Sequence, residues 1–328
     1  MKSALIFGAR GQDGMHLTDL LLEKGYEVYA QYRQDQAVRN SAAPFPDSLL
    51  RRSEFQAIGG SAANPEFSYR LVKDIHPDEI YYLASNHELN YSLENYEKSR
   101  AINLDGLAGA LEALVNTSKQ SRLFYASSSN IFYGTSISPQ NEKTPHTPNS
   151  LYGFFKSASM SLIEMYRKEF GAYACSGILY NHESHRRKDF FLPKKIVSAA
   201  VDIKNGGCEK LYIGDIDAVR DWGYAGDFVR AMWMMLQGAH AKDYVIGTGT
   251  THTVEWIINL VFRELGLYWR DHVVIDSTLI RNKDTAILRA DNACIKKDLG
   301  WKPEIEFEDV LRMMINSELE KSLLKNSK

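Results

Sequence analysis
Short apolar runs and amphipathic stretches alternate along the first half of the chain. Residues 4–7, 27–32, 55–58, 79–83, 123–127 and 174–179 are brief, rich in aliphatic and aromatic side chains, and read as strands. Residues 13–23 carry Leu17, Leu20 and Leu21 at helical spacing, and residues 104–114 are likewise apolar along one side. Strands alternating with helices form βαβ units with right-handed crossovers, so the pattern predicts an α/β fold built on a doubly wound parallel sheet. Its ligand crevice is expected at the carboxyl ends of the strands. Beyond residue 180 the alternation loosens. A helix is expected over 228–236, a short strand over 244–246, a helix over 254–265 and a last amphipathic helix from 307 to about 319. Gly300-Trp301-Lys302-Pro303 closes a further helix into a turn. The polar tail 321–328 reads as frayed, and 34–48, with Pro44 and Pro46, as a mobile loop. The chain thus divides into a first domain over 1–180, with returns near 226–247, and a smaller lobe made mainly of 181–328.

Composition narrows the setting. A length of 328 residues suits one large α/β domain with a smaller lobe. Lys and Arg total 39 against 41 Asp and Glu, so no broad basic surface recruits nucleic acid or acidic membranes. An anionic ligand must then be met by local arginines and helix ends. Cys175, Cys208 and Cys294 lie far apart without metal-ligand spacing, which predicts no metal site and suits a reducing compartment. The N-terminal apolar segment is too short for a signal sequence and no later stretch approaches a membrane span, so a soluble cytoplasmic protein is expected.

Candidate chemistry lies in three places. Gly8, Gly11 and Gly14, with Gln12 and Asp13 between the last two, follow the first strand and open a helix; such glycines let the backbone approach a pyrophosphate at the helix N-terminus, as in Rossmann dinucleotide folds. Arg33 ends the second strand, where an acidic residue would favour NAD; an arginine suits the extra phosphate of NADP. Tyr152 and Lys156 are one helical turn apart, so a nearby ammonium can favour the phenolate needed for proton transfer. Ser128, at the end of a predicted strand, supplies a hydroxyl to share the reacting oxygen. The segment 181–187, Asn-His-Glu-Ser-His-Arg-Arg, reads as a polar loop facing the cofactor, not a metal site, and Arg220 and Arg281 as candidate diphosphate contacts.

The chain resembles the GDP-mannose 4,6-dehydratase family of extended short-chain dehydrogenases/reductases. The resemblance rests on Ala4-Leu-Ile-Phe-Gly-Ala-Arg-Gly-Gln-Asp-Gly14, Leu22-Glu-Lys-Gly-Tyr-Glu-Val28, Pro77-Asp-Glu-Ile-Tyr81, Asn181-His-Glu-Ser184 with Arg186-Arg187, Asp217-Ala-Val-Arg-Asp-Trp-Gly223, Ala231-Met-Trp-Met-Met-Leu-Gln237 and Leu299-Gly-Trp-Lys-Pro303. It implies NADP as cofactor, with NAD second, a GDP-sugar as substrate and a homodimer or homotetramer. It places Gly8, Gly11, Gln12, Asp13, Gly14, Arg33, Tyr152, Lys156, His182 and Arg187 at the cofactor, and Asn181, Lys195, Arg220 and Arg281 at the substrate. Tyr152 becomes the base, Lys156 its partner and Ser128 the hydroxyl that the family takes from threonine. The implied reaction moves a hydride from sugar C4 to the cofactor, eliminates water across C5 and C6, and returns the hydride to C6. A family glutamate serves the elimination two residues after that threonine, and here the position is Asn130. An amide does not exchange protons usefully near neutral pH, and such a group typically contributes about 10²–10⁴-fold. Glu88 and Glu183 are the carboxylates that could substitute. Otherwise the chain would act at C4 as an oxidoreductase or epimerase without losing water, or bind nucleotides as a regulator. Gly59-Gly60 also replaces the family aspartate that meets the adenine, and the loop after Arg33 lacks the family's arginine and serine run.

Overall fold
The computed structural model describes residues 1–34, 45–87, 91–280 and 287–326. Arg281, Glu88 and most of the 34–48 loop therefore lie outside the described residues. The first unit runs β1 (Ser3–Phe7), α1 (Gln12–Glu23), β2 (Glu27–Tyr32), α2 (Asp47–Leu50), β3 (Phe55–Gly59), α3 (Pro65–Ile75), β4 (Glu79–Tyr82), α4 (Leu93–Arg100), α5 (Gly106–Thr117), β5 (Arg122–Ser128), α6 (Leu151–Phe170) and β6 (Ala174–Leu179). These six strands and the later strand β10 (Tyr244–Ile246) form one sheet ordered β10-β6-β5-β4-β1-β2-β3, with every pairing parallel. Helices cover both faces, so Ala4–Phe7 are fully buried and the strand reads as a continuous apolar run. The strand order reverses direction between β1 and β4, and that is where a crevice opens at the carboxyl ends.

After β6 come β7 (Asn181–Glu183), α7 (Leu192–Lys204), β8 (Leu211–Ile213), β9 (Val219–Tyr224) and α8 (Ala225–Gln237), and after β10 come β11 (Thr251–Thr253), α9 (Val254–Glu264), β12 (Val273–Ile275), α10 (Ala293–Leu299) and α11 (Phe307–Asn326). A second core lies among α7, α9 and α11, where Ile196, Ile257, Val310 and Met314 are fully buried beside Trp222 of β9. The return segments belong elsewhere: Phe228 and Met232 of α8, the strand β10, and Ile295 and Trp301 all pack into the first core with Leu17 and Leu21 of α1. Burying each leucine of this kind contributes roughly 1.5–3 kcal/mol.

Three elements differ from the sequence pattern. Residues 181–183 form a strand, because their backbone pairs in parallel with β9 although their side chains are polar. The last helix runs past 319 to Asn326 and includes most of the tail read as frayed. Its added turns are held by an ion pair between Glu318 and the buried Lys194 of α7, and by Lys321 on the same carboxylate at 2.7 Å. Within the first unit, residues 101–105 form a wide π-helical turn ahead of α5. Among the described residues no helix is long and apolar enough to cross a membrane.

Candidate active site
The turn after β1 is shaped by its glycines. Gly8 has φ +83°, and a Cβ there would meet the Ala84 backbone nitrogen at 2.9 Å; a Cβ on Gly14 would lie 2.6 Å from Ala9. Gly11 precedes α1 with no side chain capping the helix, so the first-turn N–H groups face the crevice unsatisfied by the protein. That is a cradle for an anion, and it fits the pyrophosphate of a dinucleotide. The Gln31 side chain braces the turn, accepting from the Gly8 N–H at 3.0 Å and donating to the Gly60 carbonyl at 2.8 Å.

Beside this turn lies a closed polar network. Both Asp13 carboxylate oxygens face His182 Nε2, at 2.9 and 3.0 Å, while His182 Nδ1 donates to the Tyr180 carbonyl at 2.7 Å. Gln12 donates to the His182 carbonyl and accepts from the Ser184 hydroxyl, both at 3.0 Å. The resemblance placed Gln12, Asp13 and His182 at the cofactor; the structure joins them to one another at its rim. Burial opposes charge on His182, yet the Asp13 carboxylate outweighs it and raises the imidazole's pKa. Asp13, pushed up by burial, is held well below the usual carboxylate range by His182 and Arg187. The histidine's contribution to stability is full below its unfolded pKa and is lost as pH rises through the folded value. The aspartate's is full above its unfolded pKa and is lost as pH falls through the folded value. The pair is therefore complete from about pH 4 to about 6.5, the two unfolded values. Asp13→Asn is expected to bring the His182 pKa below about 6.5, because burial and Arg187 are then opposed only by the smaller effect of the Tyr180 carbonyl. Titration of its imidazole C–H resonance by NMR checks this, and an unchanged midpoint would exclude Asp13 as the controlling charge.

Ser150 caps α6, accepting from the Gly153 N–H at 3.1 Å, and so sets Tyr152 in the first turn with Lys156 one turn on. Lys156 is 1% exposed; its Nζ donates to the Ala126 carbonyl at 2.7 Å and lies 5.5 Å from the centre of the Tyr152 ring. Burial lowers its pKa to about 7, against the pull of Asp13. The hydroxyls of Ser128 and Ser85 favour the ionised phenol of Tyr152, yet burial pushes its pKa up to about 12. Desolvation dominates the phenol, and the sequence reading sets the nicotinamide charge beside that of Lys156 to bring it toward neutrality. Reaching pH 7 takes roughly 7 kcal/mol, at about 1.4 kcal/mol for each of five pH units.

Asn130 sits in the short 3₁₀ turn Ser129–Phe132 that follows β5. Its backbone N–H and its side-chain Nδ2 both donate to the Ser128 hydroxyl oxygen, at 3.3 and 3.1 Å. With both lone pairs engaged, that hydroxyl has its proton left for Tyr152. Ser85 in turn donates to Asn103 Oδ1 at 3.0 Å, which ties the tyrosine to the π-helical turn.

Other candidates fall around this cleft. Arg33 is exposed at the end of β2. Phe67 fills the space beside Gly60, where a Cβ would come within 2.2 Å of its ring. Arg187 packs its guanidinium 3.4 Å from the centre of the Phe191 ring and pairs with Glu183 at 3.1 Å. Glu183 is 1% exposed and held in that pair, and burial raises its pKa. Asn181 begins β7 beside Trp222 of β9. Arg220 is buried and donates to the Tyr133 hydroxyl at 3.1 Å, while Lys195 donates to the Tyr212 carbonyl at 2.8 Å. Among the described residues no cluster of His, Cys, Asp and Glu could hold a metal ion. Two residues have no role in the sequence reading: His87, stacked on Tyr152 at the site, and Asp221, a fully buried carboxylate of β9 next to Arg220. The Asp217–Gly223 motif was the available signal for the second; the first had none.

Residues 5–314 match the family described as GDP-mannose 4,6 dehydratase. Arabidopsis thaliana GDP-mannose 4,6 dehydratase 1 is 38% identical over 326 residues, covering 97% of this chain and 90% of its own. The fold is shared with the dTDP-glucose 4,6-dehydratase of Bacillus anthracis, solved with NAD, at a TM-score of 0.82, 19% identity and 98% coverage of each chain. RMD of Pseudomonas aeruginosa, solved with NADPH, gives 0.79 at 21% identity, covering 98% of this chain and all of the other. Motif, fold and whole-length similarity agree, and the chain belongs to the GDP-mannose 4,6-dehydratase family.

Proposed function
We propose that this protein is a sugar-nucleotide 4,6-dehydratase that uses NADP(H) and a GDP-sugar, removing a hydride from C4 and then losing water across C5 and C6. The observation that carries this is the convergence of Tyr152, Lys156 and Ser128 beside the open N-terminus of α1. When bound, the dinucleotide supplies the hydride acceptor and a positive nicotinamide charge. The residues that would hold it are the Gly8–Gly14 turn for the diphosphate, Arg33 for a ribose phosphate, and Lys156 for the nicotinamide ribose. Ser128 and Tyr152 would orient the sugar's C4 hydroxyl, with Tyr152 taking its proton as the C–H bond breaks. In this reading Arg220 and Lys195 are the cations that would meet the sugar diphosphate. Arg281 belongs to the same proposal by resemblance. Exposed apolar side chains on α4 and α6, among them Leu93, Phe154 and Met165, support assembly as a homodimer or homotetramer.

A second reading is favoured by Asn130: an amide is neither a useful acid nor a useful base near neutral pH, so chemistry would end at C4 as oxidation or epimerisation. One experiment separates the two. Incubated with NADP⁺ and a panel of GDP-hexoses in deuterated water, the protein is expected to yield a 4-keto-6-deoxy sugar carrying deuterium at C5, read by NMR and mass spectrometry. A product changed only at C4 would support the second reading, and no change in any sugar would remove both. Tighter binding of NAD⁺ than of NADP⁺ would overturn the cofactor assignment.

A further inference from the structure
The elimination lacks its family carboxylate, and another group beside Tyr152 has the required chemistry. His87 follows β4 on the loop that reaches the cleft, and its ring stacks on that of Tyr152 with centroids 5.1 Å apart and planes at 23°. Phe191 meets the same imidazole edge-on at 5.8 Å. Protein thus encloses the ring on two sides, while its remaining surface is open to solvent within the cleft. Neither ring nitrogen is engaged by a hydrogen bond from a described residue. A side chain fixed by stacking, open to the cleft and with both nitrogens unspent is placed to exchange protons with a ligand.

From this placement we propose that His87 is the acid/base of the dehydration, doing for the C5 proton and the C6 hydroxyl what the carboxylate does in the family. The inference rests on the dehydratase reading above. Once C4 is a ketone, the C5–H bond is acidified. The neutral imidazole takes that proton, and the C5–H electron pair delocalises into the enolate formed with C4. Reforming the ketone moves the electrons into a C5–C6 double bond and breaks the C6–O bond. The imidazolium gives its proton to the departing hydroxyl, which leaves as water, and His87 is neutral again. It then relays a solvent proton to C5 as C6 is reduced, so deuterium from solvent ends at C5.

The surroundings agree with a neutral resting state. Desolvation by the rings and chain packed around the imidazole, followed by the charges of Lys156 on α6 and of Arg187 and Lys188 after β7, lowers the histidine's pKa to about 3, with Asp13 of α1 acting the other way. The same cations would stabilise the enolate's negative charge. Asn130 contributes differently: as a donor to Ser128 it orients the hydroxyl for the C4 step, and so is a positioning residue rather than a proton carrier.

The test uses the full-length protein, NADP⁺ and GDP-mannose in deuterated water, with His87→Asn, His87→Phe and the double variant His87→Asn/Asn130→Glu. His87→Phe retains a ring to stack on Tyr152 and removes only the nitrogens. Single-turnover absorbance of the reduced cofactor reports C4 oxidation, and NMR reports loss of the C6 hydroxyl and deuterium at C5. Both single variants are expected to oxidise C4 within about threefold of the wild-type rate and to lose dehydration by on the order of 10²–10⁴-fold. The double variant is expected to regain at least about tenfold, the carboxylate resuming the role. Dehydration within about threefold of wild type in either single variant overturns the proposal. So does a parallel loss of C4 oxidation in both, which would make His87 a support for Tyr152. If the wild-type protein oxidises C4 without dehydrating, this inference falls and the C4 reading stands; if it does not oxidise C4 at all, the proposed function itself falls.

Discussion

Tyr152→Phe is expected to slow hydride abstraction from the sugar by on the order of 10²–10⁴-fold, the range that one positioned acid/base group supplies. The hydroxyl is the only atom removed. Its partners, Ser128 and Ser85, are hydroxyls that can turn to other acceptors, so stability should change by about 1 kcal/mol or less. The loss should appear in the rate of the C4 step and leave cofactor affinity nearly intact. Because burial holds the phenol's pKa up at about 12, the wild-type rate of this step should rise with pH across the neutral range. The slope becomes shallower once the nicotinamide charge and Ser128 favour the phenolate. Tyr152→Phe should flatten that dependence as well as lower the rate. Stopped-flow absorbance of the reduced cofactor, followed against pH, measures both. A rate within about threefold of wild type would place the base elsewhere.

The extent to which such a site is legible in sequence depends on whether its parts are local. Inner strands of the first sheet such as β1 and β6 are buried on both faces and read as short, largely apolar runs, and the strand limits agree with the pattern to within a residue. Glycine spacing marks the turn after β1 because the close approach of Ala84 and Ala9 leaves no room for a Cβ. Tyr152 and Lys156 share a helix face by their four-residue spacing alone. The polar strand β7 reads as a loop in sequence because its register is set by the backbone of β9, some forty residues away, and not by alternation in its own side chains. His87 belongs to no local pattern. It reaches Tyr152 because β4 and β5 are adjacent and parallel, so their carboxyl ends deliver both loops to one place. Glu183 stood out in sequence as a carboxylate near the cofactor, and only packing shows that Arg187 already engages it.

Asp221→Ala is expected to destabilise the fold by about 2–4 kcal/mol, the scale of leaving several buried donors unsatisfied. The motif around it was read through Arg220, but the carboxylate next door joins three segments. One oxygen accepts from the Thr248 N–H at 2.9 Å and the Thr248 hydroxyl at 2.6 Å. The other accepts from the Gly249 N–H at 2.8 Å and the Ala290 N–H at 3.1 Å. Thr248 and Gly249 follow β10 of the first sheet, Asp221 lies on β9 of the second, and Ala290 packs into the first core. Alanine would leave three N–H groups without an acceptor at a position where the side chain has no exposed surface. Part of the loss is offset. Burial raises the Asp221 pKa despite its four donors, so the folded state bears a small penalty for the charged form above the carboxylate range, and alanine relieves it. Asp221→Asn keeps one acceptor oxygen but turns an NH₂ toward the other donors, so it should fall between wild type and alanine. Urea unfolding followed by tryptophan fluorescence measures the order, Trp222 being the next residue. A wild-type midpoint for Asp221→Ala would mean that the two sheets are joined without this carboxylate. The expected order would instead assign the Arg-Asp-Trp-Gly motif two tasks: Asp221 fixes β9 to the first core, and the strand so fixed carries Arg220 to Tyr133, three residues beyond Asn130.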